Sequence, residues 1–404
     1  MNKHTKTSIL TILLCGLLLM SAPALAAEIK GLDRLIGKHD ALLLATPEGA
    51  PLAARNSTQS LVPASIIKLL TALAAFDTLG PQYRFPTEFY IDAHNNLIIK
   101  GYGDLLLISE VLREIAVNLA RVKNLPAQGV NDIVLDDTYF QKPVIIPGRS
   151  ATDEPYDAPN GALCANFNTV FFKRGANGRL VSAEPQTPLL PFAENLIHKR
   201  KLKTGRIVLS HEDKENTIYA GKLFEFFLKK DGVLISGQVK SGKVNYSHDR
   251  LIFRYTSRFS LTETISKLLE HSNNFTTNQL LITAGIKAFG PPGNLKKGVE
   301  AARAYASREL AITDITIAEG SGISRQNKLS AREMMRALEA FEPNFVLLRQ
   351  KGRDFYKTGT LHGINTRAGY ITSRNGGRYR YVVMVNTNGK STKPIMRQLL
   401  KILE

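Results

Sequence analysis

An early hairpin without neighbours constrains this chain more than any other stretch. Asp40–Thr46 and Ala50–Arg55 read as two strands joined by the turn-like Pro47-Glu48-Gly49, after a short helix near Ile29–Gly37. From Pro63 to Leu79 the chain is apolar almost all round, with Ile66, Ile67, Leu69, Leu70, Leu73 and Ala75, and Gly80-Pro81 ends it, so this is a buried helix. Two strands and one helix make too small a core to stand alone. Strands able to extend their sheet come only near the other end, at Phe355–Leu361, Thr366–Ser373 and Tyr379–Asn386, between helices at Ala331–Phe341 and Pro394–Leu403. The expectation is an α/β (α+β) domain assembled from both ends of the chain, residues 27–95 and 251–404.

The middle, residues 96–250, reads as a β-rich insertion. Strands are expected at Asn96–Lys100, Ile133–Asp136, Leu163–Phe172, Arg206–Leu209, Leu223–Leu228 and Val233–Val239, with one helix at Leu107–Val122. Strands at Glu88–Asp92 and Leu251–Tyr255 flank it, and helices return at Ile265–Glu270, Thr276–Phe289 and Gly298–Leu310. A chain of 404 residues exceeds what one core usually organises, which agrees with a second domain.

Lys3, His4 and Lys6 precede an apolar run from Ile9 to Met20, and Ala24-Leu25-Ala26 supplies the small residues of a cleavage site, so residues 1–26 read as a secretory signal peptide. The run is shorter than the roughly 20 residues of a membrane span. Bulky Leu13-Leu14 before Cys15 argues against lipidation there. Cleavage leaves Cys164 alone, so no internal disulfide can form. The formal charge is +18, and the leader carries only two of the lysines. For an exported protein this favours a peripheral association with anionic wall polymer or membrane surface. No nucleic-acid role is expected, because the chain has no tryptophan and no basic-aromatic interleaving on which bases would stack. No zinc-like histidine spacing and no phosphate-cradling glycine loop occur, so no metal and no cofactor are expected.

Ser65 and Lys68 stand three residues apart on the buried helix, on one face about a turn apart. An ammonium on so apolar a helix is costly to bury and tends toward the neutral amine, which is a base able to take the proton of a serine hydroxyl. Pro63 and Ala64 put Ser65 in the first turn, where free backbone N–H groups face a developing oxyanion. A capping serine and an outward-reaching lysine would give the same pattern. Ser65 is, however, the only serine in the chain with a lysine three residues on.

Ser272-Asn273-Asn274 lies in a turn between two helices. Ser272 is placed to relay a proton, and the amide of Asn274 to hold a peptide backbone and the lysine. A simple capping turn is the competing reading, and Ser373 to Asn375 repeats the pattern. Lys357-Thr358-Gly359-Thr360 opens a late strand. Its lysine and two hydroxyls suit a terminal carboxylate, its glycine leaves room for a peptide along the strand, and the Thr360 N–H is a second candidate oxyanion donor. Lys203-Thr204-Gly205 repeats the tripeptide but reads as a turn in a basic loop.

Ser-x-x-Lys, Ser-x-Asn and Lys-Thr-Gly in that order resemble the signature of penicillin-recognising serine enzymes. Within them the chain is similar to the class C low-molecular-weight penicillin-binding proteins, the D-alanyl-D-alanine carboxypeptidase/endopeptidase family of the penicillin-binding protein 4 type. The likeness is carried by Val62 to Leu73, Gly101-Tyr102-Gly103-Asp104, Tyr156-Asp157-Ala158-Pro159, Asn166-Phe167-Asn168, Gly320 to Arg325 and Lys357 to Leu361. It implies a β-lactamase-like transpeptidase domain, an antiparallel sheet flanked by helices, holding a long insertion. It implies a periplasmic enzyme acting on peptidoglycan peptides, with β-lactams as covalent inhibitors. Ser65 would be acylated, Lys68, Ser272 and Asn274 would move protons and hold the peptide, and Lys357 would receive the terminal carboxylate. Arg325 is a candidate anchor for substrate, with a structural salt bridge as the competing reading. Asp153 and Tyr156 are candidates for the amino group of a diaminopimelate side chain, against a stronger structural reading. Leu105 stands where the family usually has proline, Glu319 where it has aspartate, and His362 where glutamine is frequent. Two alternatives remain. A serine β-lactamase shares the motifs, but no clear Glu-x-x-x-Asn water activator lies between Ser272 and Lys357. A catalytically weak wall-binding protein would not need the complete set.

Overall fold

The structure, a computed structural model, describes residues 31–374 and 376–403. The leader 1–26, and the start of the short helix expected near 29–37, lie outside them. The chain opens with the expected hairpin, β1 (Asp40–Ala45) and β2 (Pro51–Arg55), and a 3-10 turn at Ala64–Ile67 that runs into α1 (Lys68–Leu79). Next come β3 (Pro86–Ile91), β4 (Leu97–Gly101), α2 (Ser109–Leu119), β5 (Ile133–Asp136), β6 (Thr169–Arg174) and β7 (Leu180–Ser182). Helix α3 (Pro191–Lys199), β8 (Gly205–Val208), α4 (Asp213–Lys230), β9 (Val239–Ser241) and β10 (Arg250–Thr256) complete the middle. Helices α5 (Leu261–His271), α6 (Asn274–Phe289), α7 (Leu295–Leu310) and α8 (Ala331–Phe341) follow. The chain closes with β11 (Arg349–Lys351), β12 (Asp354–Leu361), β13 (Ile364–Thr372), β14 (Arg378–Val385) and α9 (Lys393–Ile402).

The described residues fall into two compact units. One holds those up to Leu69, Asp314–Thr316 and those from Asn327 on; the other holds Leu70–Thr313 and Ile317–Gln326. In the first, a six-stranded sheet runs β11-β12-β13-β14-β1-β2. The two ends of the chain meet in the antiparallel pair β1/β14, from Asp40↔Val385 to Ala45↔Arg380. Every residue of β1 is buried, and so is β14 from Arg380 on, because helices cover both faces. On one face Leu42, Leu44, Val383 and Ile371 pack with Ile395, Met396 and Leu399 of α9. On the other, Tyr370 donates a 2.5 Å hydrogen bond to the Leu338 carbonyl of α8. That helix is started by a capping box between Ser330 and Glu333.

In the second unit the sheet order is β10-β3-β4-β5-β9, with β4/β5 and β5/β9 parallel. Its core joins Phe89, Ile99 and Leu135 to Val111 and Ile115 of α2 and to Leu223, Phe224 and Phe227 of α4. A smaller sheet runs β7-β6-β8. Helices α6 and α7 approach closely because a Cβ at Gly285 would lie 2.4 Å from the Gly298 nitrogen.

Within the segment read as a β-rich insertion, Leu223–Leu228 is not a strand. Leu223, Phe224, Phe227 and Leu228, with Tyr219 and Ala220 a turn earlier, form one helical stripe on α4. A six-residue apolar run is ambiguous between the two periods, and the longer window settles it as helix. Leu163–Phe172 is a strand only from Thr169, after a turn at Asn166–Asn168. Cys164, the one cysteine among the described residues, is a buried free thiol, and burial pushes it up to about 12.

Candidate active site

The turn that carries Ser65 is built under strain. Ala64 adopts φ +48°, a left-handed conformation that costs a non-glycine residue roughly 1–2 kcal/mol. The turn is 3-10 rather than α, so Ala64, Ile66 and Ile67 are buried while Ser65 keeps partial exposure. Lys68, the first residue of α1, is completely buried, and its Nζ lies 3.0 Å from Ser65 Oγ in hydrogen-bond contact. The lysine therefore turns inward onto the hydroxyl rather than outward to solvent.

Strand β12 lies against that turn, and Gly359 is what permits the approach. A Cβ there would stand 2.6 Å from the Ser65 nitrogen, 2.8 Å from Ala64 Cβ and 2.4 Å from Thr366 Oγ1. Thr366, opposite Gly359 in the β12/β13 register, donates to the Pro63 carbonyl at 2.7 Å and so ties the strand pair to the turn. Lys357 is 2% exposed. Burial, helped by the nearby charge of Arg349, pushes its amine down to about 8, and Nζ donates to the Thr358 carbonyl at 2.9 Å. Thr358 is partly buried and Thr360 exposed.

Ser65, Lys68 and Lys357–Thr360 belong to the first compact unit; Ser272, Asn274, Arg325, Asp153 and Tyr156 belong to the second. Ser272 caps the end of α5 in a left-handed conformation, φ 54° and ψ 35°. The N-cap of α6 is Asn273, whose side chain accepts from Thr276 N at 2.9 Å, so capping falls to the middle residue of the motif. Arg325 is exposed. Tyr156, Asn274 and Ile323 line one small notch, together with Arg149 and Asn278. Asp153 is ion-paired with Arg200, a partner the sequence reading did not name.

Sequence reasoning also missed a polar knot around Gly320. Glu319 is fully buried and accepts from the backbone N–H of Ser321 and Gly322, both at 2.7 Å, from that of Ser324 at 3.2 Å, and from Ser321 Oγ at 2.6 Å. Asn278 donates to the same carboxylate at 2.9 Å and accepts from Gly320 N at 2.8 Å. Thr71 donates to the Gly320 carbonyl at 2.8 Å. Thr71 lies one turn along α1 from Lys68, and Asn278 one turn along α6 from Asn274, so both motif-bearing helices grip one loop. The available clue was the polar run Thr276 to Gln279 in a helix whose residues from Phe275 to Ile286 are all buried. Asn278→Ala would orphan the Gly320 N–H and one bond of a buried carboxylate. We expect it to lower stability by about 1–3 kcal/mol, seen as a lower denaturant midpoint at unchanged slope; an unshifted midpoint would discount the knot.

Comparisons with known proteins bear on the fold and family of the chain as a whole. Over 431 residues the chain is 24% identical to the D-alanyl-D-alanine carboxypeptidase of Actinomadura sp. (strain R39), covering 89% of this chain and 78% of that protein. The crystal structure of penicillin binding protein 4 (dacB) from Haemophilus influenzae superposes with a TM-score of 0.72 at 17% identity, covering 92% of this chain and 97% of that one. The penicillin G-acylated predatory endopeptidase from Bdellovibrio bacteriovorus, solved with its immunity protein, gives 0.52 at 14% identity over 90% and 91% of the two chains. These likenesses establish a shared fold. The family model described as D-Ala-D-Ala carboxypeptidase 3 (S13) matches residues 22–190 and 200–349, most of the sequence, and the chain belongs to that family.

Proposed function

We propose that this protein is an exported serine D-alanyl-D-alanine carboxypeptidase, also acting as an endopeptidase on cross-links, that works on peptidoglycan stem peptides through an acyl-enzyme on Ser65. The observation that carries this reading is the 3.0 Å contact between Ser65 Oγ and the fully buried amine of Lys68. Lys68 takes the hydroxyl proton as Ser65 attacks the carbonyl of the penultimate D-alanine. The N–H groups of Ser65 and Thr360 receive the oxyanion. Ser272 passes the proton to the departing amine, Asn274 holds the peptide backbone, and water then releases the acyl group. Lys357, Thr358 and Thr360 hold the terminal carboxylate, and Gly359 lets their strand lie close against the Ser65 turn. Arg325, Tyr156 and Asp153 contact the rest of the substrate, Asp153 by exchanging Arg200 for a substrate amine. For Ser272 and Asn274 the support is the order of the motifs and the family.

Penicillins should acylate Ser65, as penicillin G has acylated the endopeptidase relative. Among the described residues no helix is long and apolar enough to cross a membrane. We assign residues 1–26 as the export signal, a periplasmic location, and peripheral attachment to the wall through the net charge of +16 that remains once the two lysines of the leader are removed. Residues 27–95 with 251–404 form the proposed catalytic domain and 96–250 the insertion. The chemistry needs no metal or cofactor.

The lowered amine of Lys357 gives the reading a pH signature. Its charge is lost as pH rises through about 8 in the free enzyme. We expect kcat/KM for a peptide ending in D-alanyl-D-alanine to fall above that pH, and the limb to move alkaline in Lys357→Arg, whose guanidinium stays charged. An unmoved limb would take Lys357 out of carboxylate binding. In stability the sign is opposite. The folded protein binds fewer protons than the unfolded chain between about 8 and the ordinary lysine value of 10.5, so this group makes the fold more stable as pH rises across that window.

A further inference from the structure

The three residues before the strained Ala64 are each held by a different late segment of the chain, all within the first compact unit. Leu61 exchanges backbone hydrogen bonds with Leu329, at 2.9 Å and 3.1 Å. Pro63 is tied through its carbonyl to Thr366. Val62, between them, is held by a side chain. Its N–H donates to Asn386 Oδ1 at 2.8 Å, and Asn386 Nδ2 donates to its carbonyl at 3.1 Å. An amide carries donor and acceptor on one planar group, so Asn386 meets both polar groups of one backbone residue as a neighbouring strand would.

Asn386 is itself fixed at the seam where the two ends of the chain meet. It directly follows β14, and its backbone N–H donates to the His39 carbonyl at 3.2 Å and to Asp40 Oδ1 at 3.1 Å. Asp40 is completely buried. Its carboxylate also accepts from Thr387 Oγ1 at 2.7 Å and from Gly37 N at 2.9 Å, and Lys390 Nζ lies 3.4 Å away. A buried charge thus anchors the backbone from which the Asn386 amide reaches Val62.

The held segment leads straight into the nucleophile. Val62 and Ala64 pack only in a small apolar cluster with Ile364 and Leu361, which does not by itself dictate a left-handed residue. Ala64 keeps φ +48° because both of its flanks are pinned, by the bonds to residues 61–63 on one side and by the close approach of Gly359 to the Ser65 nitrogen on the other. Conformations of this kind persist only where the surroundings over-determine them. Relaxation at Ala64 would carry the Ser65 N–H and Oγ away from their present places, the latter 3.0 Å from the Lys68 amine.

We infer that the side-chain amide of Asn386 is a positioning group for the nucleophile: it holds Val62 so that Ala64 keeps the left-handed turn that presents Ser65 to Lys68 and to the carbonyl under attack. The inference rests on the acylation of Ser65 proposed above, and it acts through the backbone from Val62 to Ala64. Stopped-flow acylation by a chromogenic cephalosporin separates the acylation rate constant, the noncovalent dissociation constant and the fraction of chains labelled. In the full-length Asn386→Ala enzyme the rate constant should fall about 10- to 100-fold, the cost of misplacing a reacting group by an ångström or less, while the other two quantities hold. A merely structural loss would lower the labelled fraction and spare the rate constant. Glycine adopts positive φ without strain, so in an Ala64→Gly background the same substitution should cost at most about threefold. Should Asn386→Ala not fold, Asn386→Asp keeps the size and the acceptor but sets an oxygen against the Val62 carbonyl, and its rate constant should fall likewise. An unchanged rate constant, a fall confined to the labelled fraction, or an equal loss in both backgrounds would overturn the inference. No acylation of the unsubstituted enzyme would instead reject the peptidase reading.

Discussion

The Ser65→Ala protein is expected to release D-alanine from D-alanyl-D-alanine peptides at least about 10⁴-fold more slowly than the unsubstituted enzyme, and to take up no fluorescent penicillin. The size of the loss follows from covalent catalysis, in which no other group forms the acyl intermediate. A general-base mechanism with water as nucleophile would leave a much larger residue of activity. The substitution should leave the fold intact, because Ser65 is only partly buried and the strand contact at Gly359 is made by the Ser65 backbone nitrogen. Retained labelling would remove Ser65 from the mechanism, while lost activity with a changed thermal midpoint would point to packing.

Lys68→Arg should slow acylation by about 10²- to 10⁴-fold, the usual worth of general-base catalysis, although it puts a permanent positive charge on the helix. A guanidinium does not give up its proton in a protein, so it can hold an anion but cannot accept the hydroxyl proton. This separates two roles for the amine 3.0 Å from Ser65 Oγ. If Lys68 merely supplied positive charge to the oxyanion, arginine would restore much of the rate. If it is the base, arginine should perform no better than methionine of similar length. Pre-steady-state acylation by a chromogenic cephalosporin gives the rate directly, free of the deacylation step.

The closure of the fold by its two ends was legible because β1 and β14 are buried on both faces and therefore read as continuous apolar runs. The serine-lysine pair was legible as well, since a lysine within an all-round apolar helix needs a partner. The helix at Leu223–Leu228 was not legible in a short window, where one apolar run satisfies either period; only Tyr219 and Ala220 a turn earlier decide it. Asp153 was a candidate for a substrate amine against a stronger structural reading, and the identity of its partner, Arg200, depends on a tertiary approach that local pattern does not encode. The knot at Gly320 was hidden for the same reason. Glu319, Asn278 and Thr71 come from three separate stretches, and each alone is an ordinary polar residue. Gly148 was hidden too: a Cβ there would sit 2.7 Å from Ser324 Cα, a constraint visible only once the loops meet.

Intact-protein mass spectrometry after benzylpenicillin treatment, with the modified peptide mapped, tests the central claim most directly. One adduct of the full mass of the antibiotic, on the peptide that holds Ser65 and absent from Ser65→Ala, is the result expected of a serine made nucleophilic by the buried amine beside it. An adduct on any other residue, or an unmodified protein under conditions that acylate a known penicillin-binding protein, would contradict it.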